Sequence, residues 1–122
     1  MTRRYWPVLL LCTVPLWAHH SWSNDFFLDK TITVKGKISQ FEFQNPHSML
    51  HLDITNEQGV TETWLGEWAG TGKLTNEGVP KGKLRPGDEL TVYGNPCRTP
   101  EEHRIHILGI RRSDGFKWGR LN

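Results

Sequence analysis

The stretch Thr31-Ile-Thr-Val-Lys-Gly-Lys-Ile-Ser-Gln-Phe-Glu-Phe43 changes the phase of its apolar alternation in the middle. Its first half places isoleucine and valine side chains on one face of an extended chain, and its second half places Phe41 and Phe43 on the opposite face. A β-bulge near Ser39-Gln40 would return both phenylalanines to the core face. Long bent strands of this kind turn the corners of small β-barrels, and Asn45-Pro46 ends this one.

The remainder of the chain contains three further alternating segments, one segment that is apolar on both faces and a short closing one. The predicted strands cover residues 49–55, 60–68, 89–94 and 105–112, with the closing strand around Phe116 and Trp118. Residues 70–80 lack this alternation, and Thr71 is predicted to cap a short helix that Gly78 and Pro80 stop. Five strands with a helix between the third and the fourth follow the element order of an OB-type barrel. We therefore predict a mainly β fold, a five- to six-stranded OB-like β-barrel, with a five- or six-stranded sandwich as the alternative.

Composition and charge limit the class of protein. The 122 residues are 36% hydrophobic and include six Trp, which favours one folded domain over a disordered chain. Two of the fifteen basic residues, Arg3 and Arg4, lie in an N-terminal leader, and the remainder of the chain has equal numbers of basic and acidic residues. A basic surface that follows a phosphate backbone is therefore not expected, and no nucleic-acid partner is predicted.

The N-terminus has the pattern of an export signal. Residues 2–18 combine a basic start, an apolar run of about a dozen residues and a small residue at the end. We predict a signal peptide at residues 1–18, a single barrel domain at residues 19–122, and a periplasmic or secreted bacterial protein. A permanent anchor, a twin-arginine signal at Arg3-Arg4 and a lipoprotein box at Cys12 match less well, so no stable membrane span is expected after cleavage.

The two cysteines do not form an internal pair once the leader is removed. Cys12 lies in the apolar run of the leader, which leaves Cys97 alone in a proline-rich loop. Cys97 could act as a metal ligand, as a redox-sensitive thiol or as an intermolecular link, but no thiol motif surrounds it. We therefore expect an unpaired thiol in a fold held together by its core.

The chain also resembles a known family through three short motifs. These are His19-His20-Ser21, Asn45-Pro46-His47, and Leu84-Arg85-Pro86-Gly87-Asp88 with Gly94-Asn95-Pro96. They are similar to the pattern of small secreted bacterial proteins catalogued as domain of unknown function 6152, over residues 19 to about 115. The resemblance implies an exported OB-like barrel and brings no established activity, substrate or cofactor. Arg85 replaces the usual lysine, and Cys97 is not a family feature.

Histidine supplies the sharpest functional hypothesis. Cleavage after Ala18 would give His19 a free α-amino group beside its imidazole, so that one residue could chelate a metal. A further imidazole from His20 or His47 would complete a nitrogen set that suits Cu(II), similar to the histidine brace of copper proteins. His51 is a weaker candidate ligand. Alternatively, the His47 ring hydrogen-bonds a turn and His51 is a solvated strand residue.

The other two histidines are not expected to share a site. His103 and His106 are three residues apart and would point to opposite faces of one strand. Of the two, His106 is the better candidate for a hydrogen-bonded core residue.

Aromatic residues give a second hypothesis, from a different functional class. Trp22, Trp64 and Trp68 could line a ligand face of the barrel, although core packing explains them at least as well. The alternative function is a metal-free interaction module for a partner protein of the envelope, an envelope glycan or a small ligand. The sequence has no HExxH, CxxC, Gly-x-Ser-x-Gly or phosphate-loop motif, so we do not expect an enzyme.

Overall fold

The computed structural model describes residues 21–121. Its elements are α1 (Trp22–Asp25), β1 (Ile32–Glu42), β2 (Met49–Thr55), β3 (Thr61–Glu67), α2 (Thr71–Asn76), β4 (Glu89–Pro96), a 3₁₀ turn (Pro100–Glu102), β5 (Arg104–Arg112) and β6 (Lys117–Gly119). The predicted signal peptide at residues 1–18 and the candidate ligands His19 and His20 lie outside the described residues.

Five strands close into a barrel. β1 lies between β2 and β4, β2 continues to β3, and β4 continues to β5, all antiparallel. A parallel pairing of β3 with β5, from Leu65 opposite Arg104 to Glu67 opposite His106, closes the circle. β6 adds to β5 outside the ring. The predicted OB-like barrel is confirmed, and the alternative of a sandwich was wrong.

β1 turns the corner of the barrel at the predicted bulge. Its pairing with β2 shifts register between Ile38 and Gln40. Residues 32–37 pair with β4, and residues 37–42 pair with β2, so one strand contributes to two parts of the sheet. Ile38 is buried before the bulge, and Phe41 and Phe43 pack against the same core after it. The phase slip in the sequence is therefore explained by a bent strand.

The short helix lies where it was predicted, but its cap was assigned to the wrong residue. Gly70 is the N-cap, and Thr71 is the first helical residue. Oδ1 of Asn45 accepts hydrogen bonds from the backbone N–H of Thr71, at 2.9 Å, and from its hydroxyl, at 3.2 Å. A Cβ at position 70 would lie 2.6 Å from the same oxygen, so only glycine leaves room for this cap. The side chain of Asn45, 26 positions before Thr71, thus provides a hydrogen-bond acceptor for a backbone N–H at the N-terminus of α2.

The core is built from the inward faces of the barrel and the residues after β3. Leu50, Leu52, Leu90, Val92, Ile105 and Ile110 are fully buried, together with Leu74 of α2 and Trp68. β3 ends at Glu67, one residue before Trp68. The α-helices formed by residues 21–121 are 4 and 6 residues long, and neither can span a bilayer.

Gly94 marks the closest approach of β4 to β5 and provides a test of the barrel. A Cβ there would collide with the carbonyl oxygen of His106. We expect Gly94→Ala to lower the free energy of unfolding by about 1–3 kcal/mol, because backbone must move to admit the methyl group. Urea denaturation measures the change.

Gly72→Ala is the matched control for that substitution. An added Cβ at Gly72 meets no atom of the described residues within 4 Å, and the position is helical. This variant is expected to gain up to about 1 kcal/mol of stability. Equal effects of the two substitutions would contradict the close approach at Gly94.

Candidate functional site

Residues 21–30, here called the N-terminal strap, are fixed along the end of β4. Phe26 is fully buried and forms a β-bridge with Cys97. The backbone N–H of Phe27 donates to the carbonyl of Pro96 at 3.0 Å, and the N–H of Arg98 donates to the carbonyl of Asp25 at 2.8 Å. A buried aromatic anchor with backbone hydrogen bonds on either side holds the strap in one position.

The buried side chain of Asn95 joins the strap to β5. Its Nδ2 donates to the carbonyl of Lys30 at 2.8 Å and to that of Leu28 at 3.4 Å, and its Oδ1 lies 3.0 Å from Nδ1 of His106. Because the amide NH₂ faces two carbonyls, the amide oxygen must face the imidazole. Nδ1 of His106 therefore carries the proton, and Nε2 has the free lone pair.

Trp22 brings two histidines together. Its indole stacks on the ring of His106, with the ring centroids 4.1 Å apart and the planes inclined by 18°. The ring of His47 lies 4.5 Å from the Trp22 ring centroid at an angle of 37°. Phe26 also contacts this cluster, with its centroid 5.7 Å from that of His106. His47 and His106 are 59 positions apart in sequence but share one aromatic neighbour.

The Asn45-Pro46-His47 turn positions the first of these histidines. Asn45 caps α2, as described above. The next residue after the turn, Ser48, is fully buried, and its N–H donates to the carbonyl of Ala69 at 3.1 Å. Its hydroxyl also bonds the backbone of Gln44 at 3.2 Å. The turn is thus fastened to α2 before His47 and to the segment that precedes α2 after it, and His47 presents its ring to Trp22.

An open cleft of about 450 Å³ lies beside this cluster. Its lining includes the rings of Trp22, His47, Trp68, His106 and Trp118. Nε1 of Trp68 is buried and has no hydrogen-bond partner within residues 21–121. The cleft combines an apolar aromatic wall with two imidazoles, and this composition suits a ligand bound through nitrogen donors.

The environment of His106 favours the neutral imidazole. Burial is the main cause that lowers its pKa, and the nearby His47 contributes in the same direction, giving a value of about 4. The ring therefore stays uncharged at neutral pH.

The predicted site residues divide between this cleft and other places. His47, Trp22 and Trp68 line it, whereas Trp64 lines a second cleft and stacks on His103 at 5.3 Å. His51 lies on β2, and its Nε2 is 2.8 Å from a carboxylate oxygen of Glu42. Within the described part of the chain, no three His, Cys, Asp or Glu side chains are grouped so that they could hold a metal ion.

His106 is the residue that the sequence analysis did not select. Its Nδ1 is hydrogen-bonded as predicted, but its ring lies at the edge of the cleft and is only partly buried. No pattern in the sequence indicated that Asn95, on the neighbouring strand, would be a partner of His106. The two become neighbours through a register shift between Tyr93 and Gly94, which places Asn95 opposite His106.

Cys97 has no disulfide partner among residues 21–121, in line with the expected unpaired thiol, and its side chain is buried. Sγ donates toward a carboxylate oxygen of Glu102 at 3.5 Å. Burial is the main cause that raises the pKa of this thiol, so the thiolate is disfavoured.

The low pKa of His106 predicts a pH dependence of stability. In the unfolded chain this imidazole has an ordinary pKa near 6.5, so between about pH 6.5 and pH 4 the unfolded state binds the proton that the folded state does not. We expect the stability of the protein to fall as the pH is lowered through this range, as measured by urea denaturation at successive pH values. His106→Gln should reduce the slope, and an unchanged slope in that variant would contradict this assignment.

Comparison with known proteins identifies the family. No curated protein matches the chain. The sequence model described as Family of unknown function (DUF6152) matches residues 8–106, a span that ends at His106 and includes the Asn45-Pro46-His47 turn. The match covers more than half of the chain and confirms the resemblance noted in the sequence. The chain belongs to the Family of unknown function (DUF6152).

Proposed function

We propose that the protein is exported and binds Cu(II) through a mature N-terminus that begins at His19. In this proposal the α-amino group and imidazole of His19 chelate the ion, and His47 or His20 supplies a further nitrogen. The observation that carries the proposal is the contact between Trp22 and His47, whose ring centroids lie 4.5 Å apart.

The position of Trp22 limits how far the first residue can lie from the cleft. Three peptide units separate His19 from Trp22, and a fully extended chain of this length spans at most about 11 Å. The strap fixes Trp22 through Phe26 and the bonds of Asp25 and Phe27. An N-terminal residue tethered so closely is within reach of the imidazole of His47.

The chemistry of the donors selects the metal. An amine and an imidazole from one residue form a chelate, and imidazole nitrogens suit Cu(II), which prefers tetragonal nitrogen ligation and binds most strongly among the divalent first-row ions. The leader pattern at residues 1–18 supports export to the periplasm or beyond and supplies the cleavage that frees the amine.

The second cleft supports one other candidate function, a metal-free interaction module. This cleft, of about 230 Å³, is lined mainly by apolar groups, among them Phe27, Trp64 and Pro100. Leu28, which follows Phe27 in the N-terminal strap, is 51% exposed. Such a surface suits an apolar segment of a partner protein or the face of a sugar ring.

An N-terminal extension tests the copper proposal. Mature protein beginning at His19 is compared with the same protein carrying one extra alanine before His19, by Cu(II) titration against a competing chelator. The extension moves the free amine off His19 and removes the single-residue chelate. We expect roughly tenfold or greater weakening of Cu(II) affinity in the extended form.

Two results would contradict this proposal. Equal affinity of the two forms would exclude the terminal chelate, and affinity that is both equal and weak would leave the interaction module ahead. Mass spectrometry of the exported protein showing a first residue other than His19, or a blocked amine, would exclude it independently.

A further inference from the structure

His106 is the imidazole in the cleft that the proposed copper site does not use. Two of the four histidines within residues 21–121 already face a carboxylate. His51 lies 2.8 Å from Glu42, and His103 lies 3.7 Å from Glu62. Among the hydrogen bonds of the described residues, in contrast, none involves the ring of His47, and the ring of His106 bonds only through Nδ1. The two imidazoles with available nitrogens are thus the two that contact Trp22.

We propose that Nε2 of His106 is a further ligand of the metal bound in this cleft, together with His47. This inference rests on the proposed copper-binding function and extends it to a residue of the barrel itself. The fixed tautomer of His106 is the observation that carries it furthest, because Nδ1–H donates to Asn95 and leaves Nε2 as the acceptor.

The surroundings of His106 match those of metal-binding histidines. Such histidines usually donate their other ring N–H to an oxygen acceptor, which fixes the tautomer and the orientation of the ring. Oδ1 of Asn95 is this acceptor, and its own orientation is fixed by the carbonyls of Leu28 and Lys30. The stacked indole of Trp22 further restricts rotation of the imidazole. A ring held by both Asn95 and Trp22 loses little entropy when it binds an ion.

The charges around the cleft permit a cation. Lys73 is the charged side chain in its lining, and its Nζ lies 2.6 Å from Oε1 of Glu77. The other carboxylate oxygen of Glu77 accepts a hydrogen bond from Nε1 of Trp118 at 3.0 Å. The positive charge of Lys73 in the lining is therefore balanced by an adjacent carboxylate.

The test compares His106→Gln with His51→Gln in mature protein beginning at His19. His51 is the matched control because it is also a partly buried strand histidine but faces Glu42. Cu(II) affinity is measured by chelator competition, and bound nitrogens are counted by electron paramagnetic resonance. We expect His106→Gln to weaken binding roughly tenfold or more and to lose one nitrogen coupling, and His51→Gln to do neither.

A measurement on the unsubstituted protein guards against misfolding of the variant. Cu(II) is paramagnetic, so substoichiometric addition should broaden the ring signals of His106 and His47 before those of His51 and His103. Broadening that spares His106 would overturn the inference, whatever the behaviour of His106→Gln.

The outcomes separate this inference from the copper proposal. If the alanine extension weakens binding and His106→Gln does not, the terminal chelate stands and the role of His106 is overturned. If His106→Gln weakens binding and the extension does not, His106 is a ligand and the terminal chelate is wrong. If neither change alters binding, both proposals fail.

Discussion

The hydrogen bonds of the buried Asn95 amide hold the N-terminal strap and β5 in one arrangement. One end of this amide binds two carbonyls of the strap, and the other end binds His106. Loss of either partner would leave buried polar groups unpaired, at a cost of about 1–3 kcal/mol per group. Because the strap is fixed in this way, Trp22 lies on His106 and beside His47, and both metal-binding proposals depend on that placement.

The barrel supplies the geometry that brings Asn95 and His106 together. Their strands approach closely because Gly94 has no side chain, and the register shift after Tyr93 turns Asn95 toward His106. Elsewhere along the cleft, the carboxamide of Asn45 fastens its turn to α2 and so positions His47. Asn45, in a turn, and Asn95, on β4, thus position His47 and His106, two histidines that are far apart in sequence. The scaffold is rigid where the imidazoles are presented.

Period-2 alternation predicted β1 to β4, a run that is apolar on both faces predicted β5, and the phase slip at Ser39-Gln40 predicted the bulge, because all three reflect local side-chain direction. The helix cap was predicted at the wrong residue, since Asn45 acts from 26 positions away and no local pattern reveals it. His106 was not predicted as a site residue for a related reason, since the register shift between Tyr93 and Gly94 determines that Asn95 lies opposite it. The predicted roles of His19 and His20 remain predictions, because both residues lie outside the described part of the chain.

The central claim is that the strap holds Trp22 against both His47 and His106 in the mature protein. The most direct measurement is nuclear Overhauser spectroscopy of the metal-free mature chain with the indole and imidazole protons assigned. The account predicts cross-peaks from the Trp22 indole to the ring protons of His106 and of His47. Assigned rings without either cross-peak, or a Trp22 side chain with the averaged signals of a free N-terminal segment, would contradict it.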